Sequence, residues 1–220
     1  MTGDGTPRRS RIYQSPRSSA DGSAKPSRTS QADDVNPLFT EVIDEPTIQR
    51  RIAELGDEIR ADYPQGDAVA IGILTGSLLF MKDLMDTLPL TFTPEFLSLT
   101  RFGHDGRVSI AMDVSMPLEN RDVLLIMHMV DTGLTLSTIH RMLAARGVNS
   151  LRTVALLDKV PRRIVDVSLD YRGFEVGDEY LLGYGLDYEG RYRNLRSVWA
   201  VMDMVTFTED PDSFAPLAFG

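Results

Sequence analysis

From Pro46 onward, apolar side chains recur at helical spacing. Ile48, Ile52, Leu55 and Ile59 fall on one face of a helix expected over 46–62, and Pro46 suits its first turn. The period then changes. Ala68–Leu74 is a short, almost continuous apolar run that stops at Thr75-Gly76-Ser77, and Leu78–Leu88 returns to helical spacing, so strand, tight loop and helix are expected in that order. Phe92–Leu99 and Val108–Val114 read as two further strands around the polar segment Arg101–Arg107, with Pro94 marking an edge or a bulge in the first. Val123–Val130 is the most strand-like run. It ends at Asp131-Thr132-Gly133 before a helix over Leu134–Ala145, and Leu151–Leu157 repeats the pattern up to Asp158-Lys159. Strands alternating with helices through short loops imply an α/β fold with an open, mainly parallel sheet, in which ligands gather at the carboxyl ends of the strands. Each loop just named lies at such an end.

Composition narrows the function classes. With 220 residues the chain is one domain plus appendages. No apolar stretch approaches the roughly 20 residues a membrane span needs, so no membrane partner is expected. The formal charge of −9 argues against a nucleic-acid partner, because phosphate contacts need clustered Lys and Arg. The absence of cysteine excludes disulfides, thiolate metal sites and a cysteine nucleophile. Residues 1–36 are expected to be a disordered tail, since Ser and basic residues dominate there and almost nothing large and apolar is available to bury. No secretory signal is read in it, because no apolar core follows the arginines. The domain proper is expected over 37–206 and a C-terminal extension over 207–220. Glu209-Asp210-Pro211-Asp212 in that extension reads as solvated coil.

The loop after the strongest strand carries the first chemical signal. Asp131-Thr132-Gly133-Leu134-Thr135 opens a helix, so backbone N–H groups, two hydroxyls and the positive helix end can converge on a phosphate. Asp131 or Thr132 capping the helix is the bland alternative. Met127 and Met129 read as core fillers, and His104 and His140 lack the spacing of a zinc site.

Five stretches resemble the hypoxanthine-guanine phosphoribosyltransferases in order and spacing across about Thr40–Met204. They are ILTGSLLFMKDL (Ile73–Leu84), LLIMHMVDTGLTLS (Leu124–Ser137), RTVALLDKVPRR (Arg152–Arg163), YRGFEVGDEYLLGYGLDY (Tyr171–Tyr188) and RYRNL (Arg191–Leu195). The resemblance implies a type I phosphoribosyltransferase core flanked by helices, with a small hood built from the N-terminal helix region and the chain after about Gly173. It implies transfer of ribose 5-phosphate from phosphoribosyl pyrophosphate to N9 of a 6-oxopurine. Asp131 would be the proton acceptor beside the base, and Thr132, Gly133, Leu134 and Thr135 the 5-phosphate loop. Lys159 would donate to the exocyclic oxygen, Tyr180 would stack on the base and Leu181 would touch its edge through the backbone. Thr75, Gly76 and Arg193 would meet pyrophosphate, and Asp187 would hold Mg²⁺. A cytoplasmic homodimer or homotetramer is the matching expectation.

This chain also departs from the pattern. Met127-His128 stands where the family carries a Glu-Asp pair for the ribose diol and its hydrated Mg²⁺, and neither replacement offers a hard oxygen ligand. Thr75 replaces a Lys or Arg before the loop glycine, and Arg101–Arg107 is shorter than the family's closing loop and lacks its Ser-Tyr pair. The base side and the phosphate loop are kept while the ribose, metal and pyrophosphate side is altered. Three readings follow. One is a working transferase in which Asp187 alone anchors metal and Arg101 or Arg107 supplies the missing cation. Another is a repurposed enzyme with His128 and Asp131 as an acid–base pair on a different phosphorylated or purine-like molecule. The third is a silent nucleotide-binding regulator or partner subunit.

Overall fold

The computed structural model describes residues 38–102 and 107–216. The expected tail and the middle of the expected closing loop, with His104, lie outside them. Six strands form the main sheet: β2 (Val69–Leu74), β3 (Thr93–Phe102), β4 (Arg107–Met112), β5 (Asp122–Val130), β6 (Ser150–Asp158) and β7 (Tyr171–Glu175), in spatial order β4-β3-β2-β5-β6-β7. All neighbours run parallel except β4, which returns antiparallel to β3. Pro94 pairs with Ala70 of β2, but β4 joins β3 only from Ser98 onward, so the proline sits where its strand has one neighbour and no second ladder needs its missing donor.

Helices cover both faces, which explains why β5 is apolar almost throughout. On one face α1 (Glu45–Asp62) and α2 (Leu78–Met85) bring Ile48, Ile52, Leu55, Ile59, Phe80 and Leu84 against Ala70, Leu124 and Ile126. On the other, α3 (Leu134–Ala144) brings Leu136, Ile139 and Leu143 against Ile71, Val123, Leu125 and Met127. The α1 start is fixed by Asp44, whose carboxylate accepts from the Thr47 N–H at 2.8 Å. Helix α2 stops short of the expected Leu88, because the Thr87 N–H and hydroxyl both turn back onto the Leu84 carbonyl.

The hood is a second, three-stranded antiparallel sheet of β1 (Phe39–Ile43), β8 (Tyr180–Leu182) and β9 (Val198–Val201), in the order β1-β9-β8. The N-terminal helix does not belong to it. Helix α1 lies on the main sheet, held to β7 by Arg51, which donates to the Arg172 carbonyl at 2.7 Å. The expected solvated coil is also replaced. Helix α4 (Met204–Glu209), capped by Asp203, and a 3₁₀ turn over Pro211–Phe214 seat Phe207 and Phe214 fully inside the hood, against Phe39, Tyr192 and Val201. The two phenylalanines outweigh the acidic residues between them, because a buried aromatic side chain contributes far more than a solvated charge loses. Among the described residues no helix is long and apolar enough to cross a membrane.

Candidate active site

The carboxyl ends of β2, β5 and β6 open toward the hood, and the loops there gather most of the expected residues. After β5 the chain turns at Gly133, whose φ of +86° is left-handed and whose missing Cβ would stand 2.7 Å from the Val165 carbonyl. The Thr132 carbonyl accepts from the N–H groups of Ile164 (2.9 Å) and Val165 (3.0 Å), so a turn after β6 braces the loop from behind. Leu134 and Thr135 begin α3, and Leu134 is half exposed. The result is a helix N-terminus whose Leu134 N–H donates to the Thr132 hydroxyl oxygen at 3.4 Å, beside a glycine that allows close approach, a geometry suited to an anion. Asp131, at the mouth of this loop, pairs with the Arg162 guanidinium at 2.8 Å.

Lys159 follows β6 directly. Its backbone N–H donates to the Val130 carbonyl (2.9 Å), which ties the two loops together, and its ammonium donates to the Glu179 carbonyl at 2.5 Å. Burial pulls the Lys159 pKa down from its ordinary value, against the opposing pull of Asp131. Glu179 leads into β8, so the lysine reaches across to the hood. There Tyr180 is half-buried, its hydroxyl donating to the Asp187 carbonyl at 2.7 Å and its ring edge-on to Tyr188. Burial raises the pKa of its hydroxyl. Leu181 pairs with Ala200 within the hood sheet and is buried. The acid, the lysine and the tyrosine thus belong to one wall.

On the other side, the Thr75-Gly76 loop follows β2 and the Leu74–Thr75 peptide is cis. A Cβ at Gly76 would lie 2.3–2.6 Å from three atoms of the His128 imidazole, so that ring fills the space beside the loop. A Cβ at Gly185 would lie 2.0 Å from the Gly76 carbonyl, and φ at Gly185 is +94°. Two glycines therefore let the hood close on this loop. Arg193 donates to the Gly185 carbonyl (2.6 Å) and pairs with Asp187 (2.7 Å), whose other oxygen accepts from the Gly190 N–H (2.7 Å). Burial, with Arg193 as the next cause, pushes the His128 pKa down to about 4. Met127, one residue earlier, points to the opposite face and is 6 % exposed in the α3 core.

His128 and Asp131 are not joined. The charged groups acting on His128 are Arg193 and Asp187, while Asp131 pairs with Arg162, and no hydrogen bond links the two among the described residues. Nor do the residues here suit Mg²⁺, which asks for several oxygen ligands. The carboxylate at this end, Asp187, is engaged on both oxygens, and among the described residues no group of three or more His, Asp or Glu is gathered as a metal would need. Sequence reasoning passed over Arg162, and also the buried Asp158, which is flanked by Arg163 and Arg172 and anchors the bracing turn. A carboxylate ending a buried strand with arginines at short spacing was the available signal.

The comparisons with known proteins agree with this geometry. The family model for the phosphoribosyl transferase domain matches residues 39–189. The hypoxanthine-guanine phosphoribosyltransferase of Bacillus subtilis is 39 % identical over 158 residues, covering 70 % of this chain and 88 % of that protein. The Staphylococcus aureus protein of the same name is 39 % identical over 164 residues, covering 73 % and 92 %. Among solved structures, a hypoxanthine phosphoribosyltransferase from Staphylococcus aureus superposes with a TM-score of 0.72 at 36 % identity, over 78 % of this chain and 95 % of that one. The Trypanosoma cruzi hypoxanthine phosphoribosyltransferase does so with 0.68 at 32 %, over 74 % and 95 %. With the family model matched over most of the chain and these relatives at 39 % identity, this chain belongs to the hypoxanthine-guanine phosphoribosyltransferase family.

Proposed function

We propose that the protein transfers a phosphoribosyl unit from phosphoribosyl pyrophosphate to N9 of a 6-oxopurine, releasing pyrophosphate. The observation that carries this reading is the shared wall of Asp131, Lys159 and Tyr180 beside the Gly133 loop. The Gly133–Thr135 turn receives the 5-phosphate on its N–H groups and the positive end of α3. Lys159 donates to the exocyclic oxygen of the base while Tyr180 offers its ring face, and Leu181 contributes backbone to the base edge. Asp131 takes the proton the purine loses as its nitrogen bonds to the sugar carbon. Arg162 keeps that carboxylate oriented between turnovers. Thr75, Gly76 and Arg193 meet the leaving pyrophosphate.

The test is turnover of hypoxanthine or guanine with phosphoribosyl pyrophosphate by the full-length protein. Asp131→Asn should lower kcat by about 10²–10⁴-fold, the usual contribution of a positioned general base, with circular dichroism unchanged. Equal turnover by the variant would remove Asp131 from the chemistry.

A second reading, a nucleotide-binding protein without turnover, is favoured by one observation: Met127 is turned into the core and His128 fills the space beside Gly76. Binding of a nucleoside monophosphate with no nucleotide formed from base and phosphoribosyl pyrophosphate would select it.

A further inference from the structure

The half of the site around Gly76 is built differently from the half around Gly133. Its carboxylate is already committed: Asp187 uses one oxygen on Arg193 and the other on the Gly190 N–H. The Gly185 carbonyl accepts from Arg193, and the Gly76 carbonyl abuts Gly185. The side chain nearest Gly76 is an imidazole, and the preceding thioether is buried on the far face of the sheet. Apart from the neutral hydroxyl of the exposed Thr75, no side-chain oxygen among the described residues here is spare for a small divalent cation, and no free carboxylate is. What the half-site does offer is donors. Arg193 spends two contacts of a five-donor guanidinium. His128 keeps part of its surface, although burial dominates the surroundings of its ring, and the ring makes no hydrogen bond among the described residues. The Gly76 N–H lies in a loop that no side chain of its own obstructs.

We propose that this half-site holds the pyrophosphoryl group directly, through Arg193, His128 and loop N–H groups, and does so without requiring a protein-anchored divalent cation. The inference rests on the phosphoribosyl reading of the site and specifies how its anionic end is met. A guanidinium that is shared with Asp187, a neutral imidazole and N–H donors meet diphosphate oxygens as hydrogen-bond donors, the guanidinium with charge assistance. His128 then acts as a binding residue at the pyrophosphoryl end, separate from the proton transfer at Asp131.

Isothermal titration of the full-length protein with phosphoribosyl pyrophosphate, once with Mg²⁺ and once with EDTA, tests it. Guanosine monophosphate, titrated alongside, reports the base and phosphate half. The expected result is binding of phosphoribosyl pyrophosphate that changes less than about threefold between the two conditions, where even the outer-shell partners of a true metal centre are worth about 10–100-fold. His128→Asp, which adds a carboxylate facing Gly76, should bring Mg²⁺ dependence of about tenfold or more. If guanosine monophosphate binds while EDTA weakens phosphoribosyl pyrophosphate tenfold or abolishes its binding, the inference is overturned and the family reading stands. Binding of guanosine monophosphate with no binding of phosphoribosyl pyrophosphate under either condition overturns it too. If guanosine monophosphate fails to bind as well, both fall together. The wild-type pair decides the matter even should the variant not fold.

Discussion

Two residues in one strand and its loop, His128 and Asp131, face different neighbours, and the protonation of His128 has a consequence for stability. The folded pKa of His128 is near 4, below the ordinary imidazole value of 6.5. Above pH 6.5 the ring is neutral in both folded and unfolded chains and adds nothing. As pH falls from 6.5 toward 4 the unfolded chain takes up a proton that the folded chain refuses, so stability declines, by at most about 3 kcal/mol, and levels off below 4. His128→Gln should therefore flatten the fall in urea-unfolding stability between neutral pH and about pH 4.5. A variant curve parallel to wild type would show that other groups govern the acid limb. At this scale the sequence was informative where a residue sits in a loop after an obvious strand, as Asp131 and Lys159 do. It was silent on which carboxylate Arg162 meets, because a surface-type residue gives no such sign in one dimension, whereas the arginine spaced closely after Asp158 was a signal that went unread. It also suggested His128 and Asp131 as a pair by nearness along the chain, whereas strand geometry points one of them at Gly76 and the other at Arg162.

Among the elements, the β5–loop–α3 unit carries the most function and was the easiest to read. Its strand is buried on both faces and its helix has a clean apolar stripe, so both periods are strong. Gly133 joins them under two constraints at once, a left-handed φ and a neighbouring carbonyl at 2.7 Å from where a Cβ would stand. Gly133→Ala should destabilise by roughly 2 kcal/mol, from the left-handed penalty with added crowding. It should also weaken guanosine monophosphate more than guanosine, since the strain falls on the phosphate loop. Thermal unfolding and paired titrations read the two effects, and equal weakening of both ligands would argue against a phosphate role for the loop. The strands that escaped sequence reading are β1, β7, β8 and β9, of three to five residues each. They are too short for a period to show, and β1 and β8 find their common partner β9 far along the chain. Tertiary pairing decides such strands.

At the scale of the whole molecule the hood shares the core on the α1 face, through Leu181, Val198 and Ala200, and adds an aromatic core of its own. The six-stranded sheet has a core on each face, while the hood has its own small aromatic core, closed by Phe207 and Phe214. Phe214→Ala removes a fully buried ring and should cost about 3–5 kcal/mol locally. Because that ring touches Phe39, Tyr192 and Trp199 rather than the main sheet, hydrogen exchange should accelerate in β1, β8 and β9 and stay slow in β2, β5 and β6. Acceleration of equal size in all six would mean that the molecule opens as one unit.

The placement of Phe214 has a consequence for the order in which the molecule becomes competent during synthesis. The Gly133 loop is complete once β6 and its bracing turn have emerged, but Tyr180 rests on a sheet whose last strand ends at Val201 and whose plug comes later still. A ribosome-bound chain halted before that plug lacks the side chains that close the hood's aromatic core. The strand that carries Tyr180 is thus among the last parts of this polypeptide to be secured as it is made.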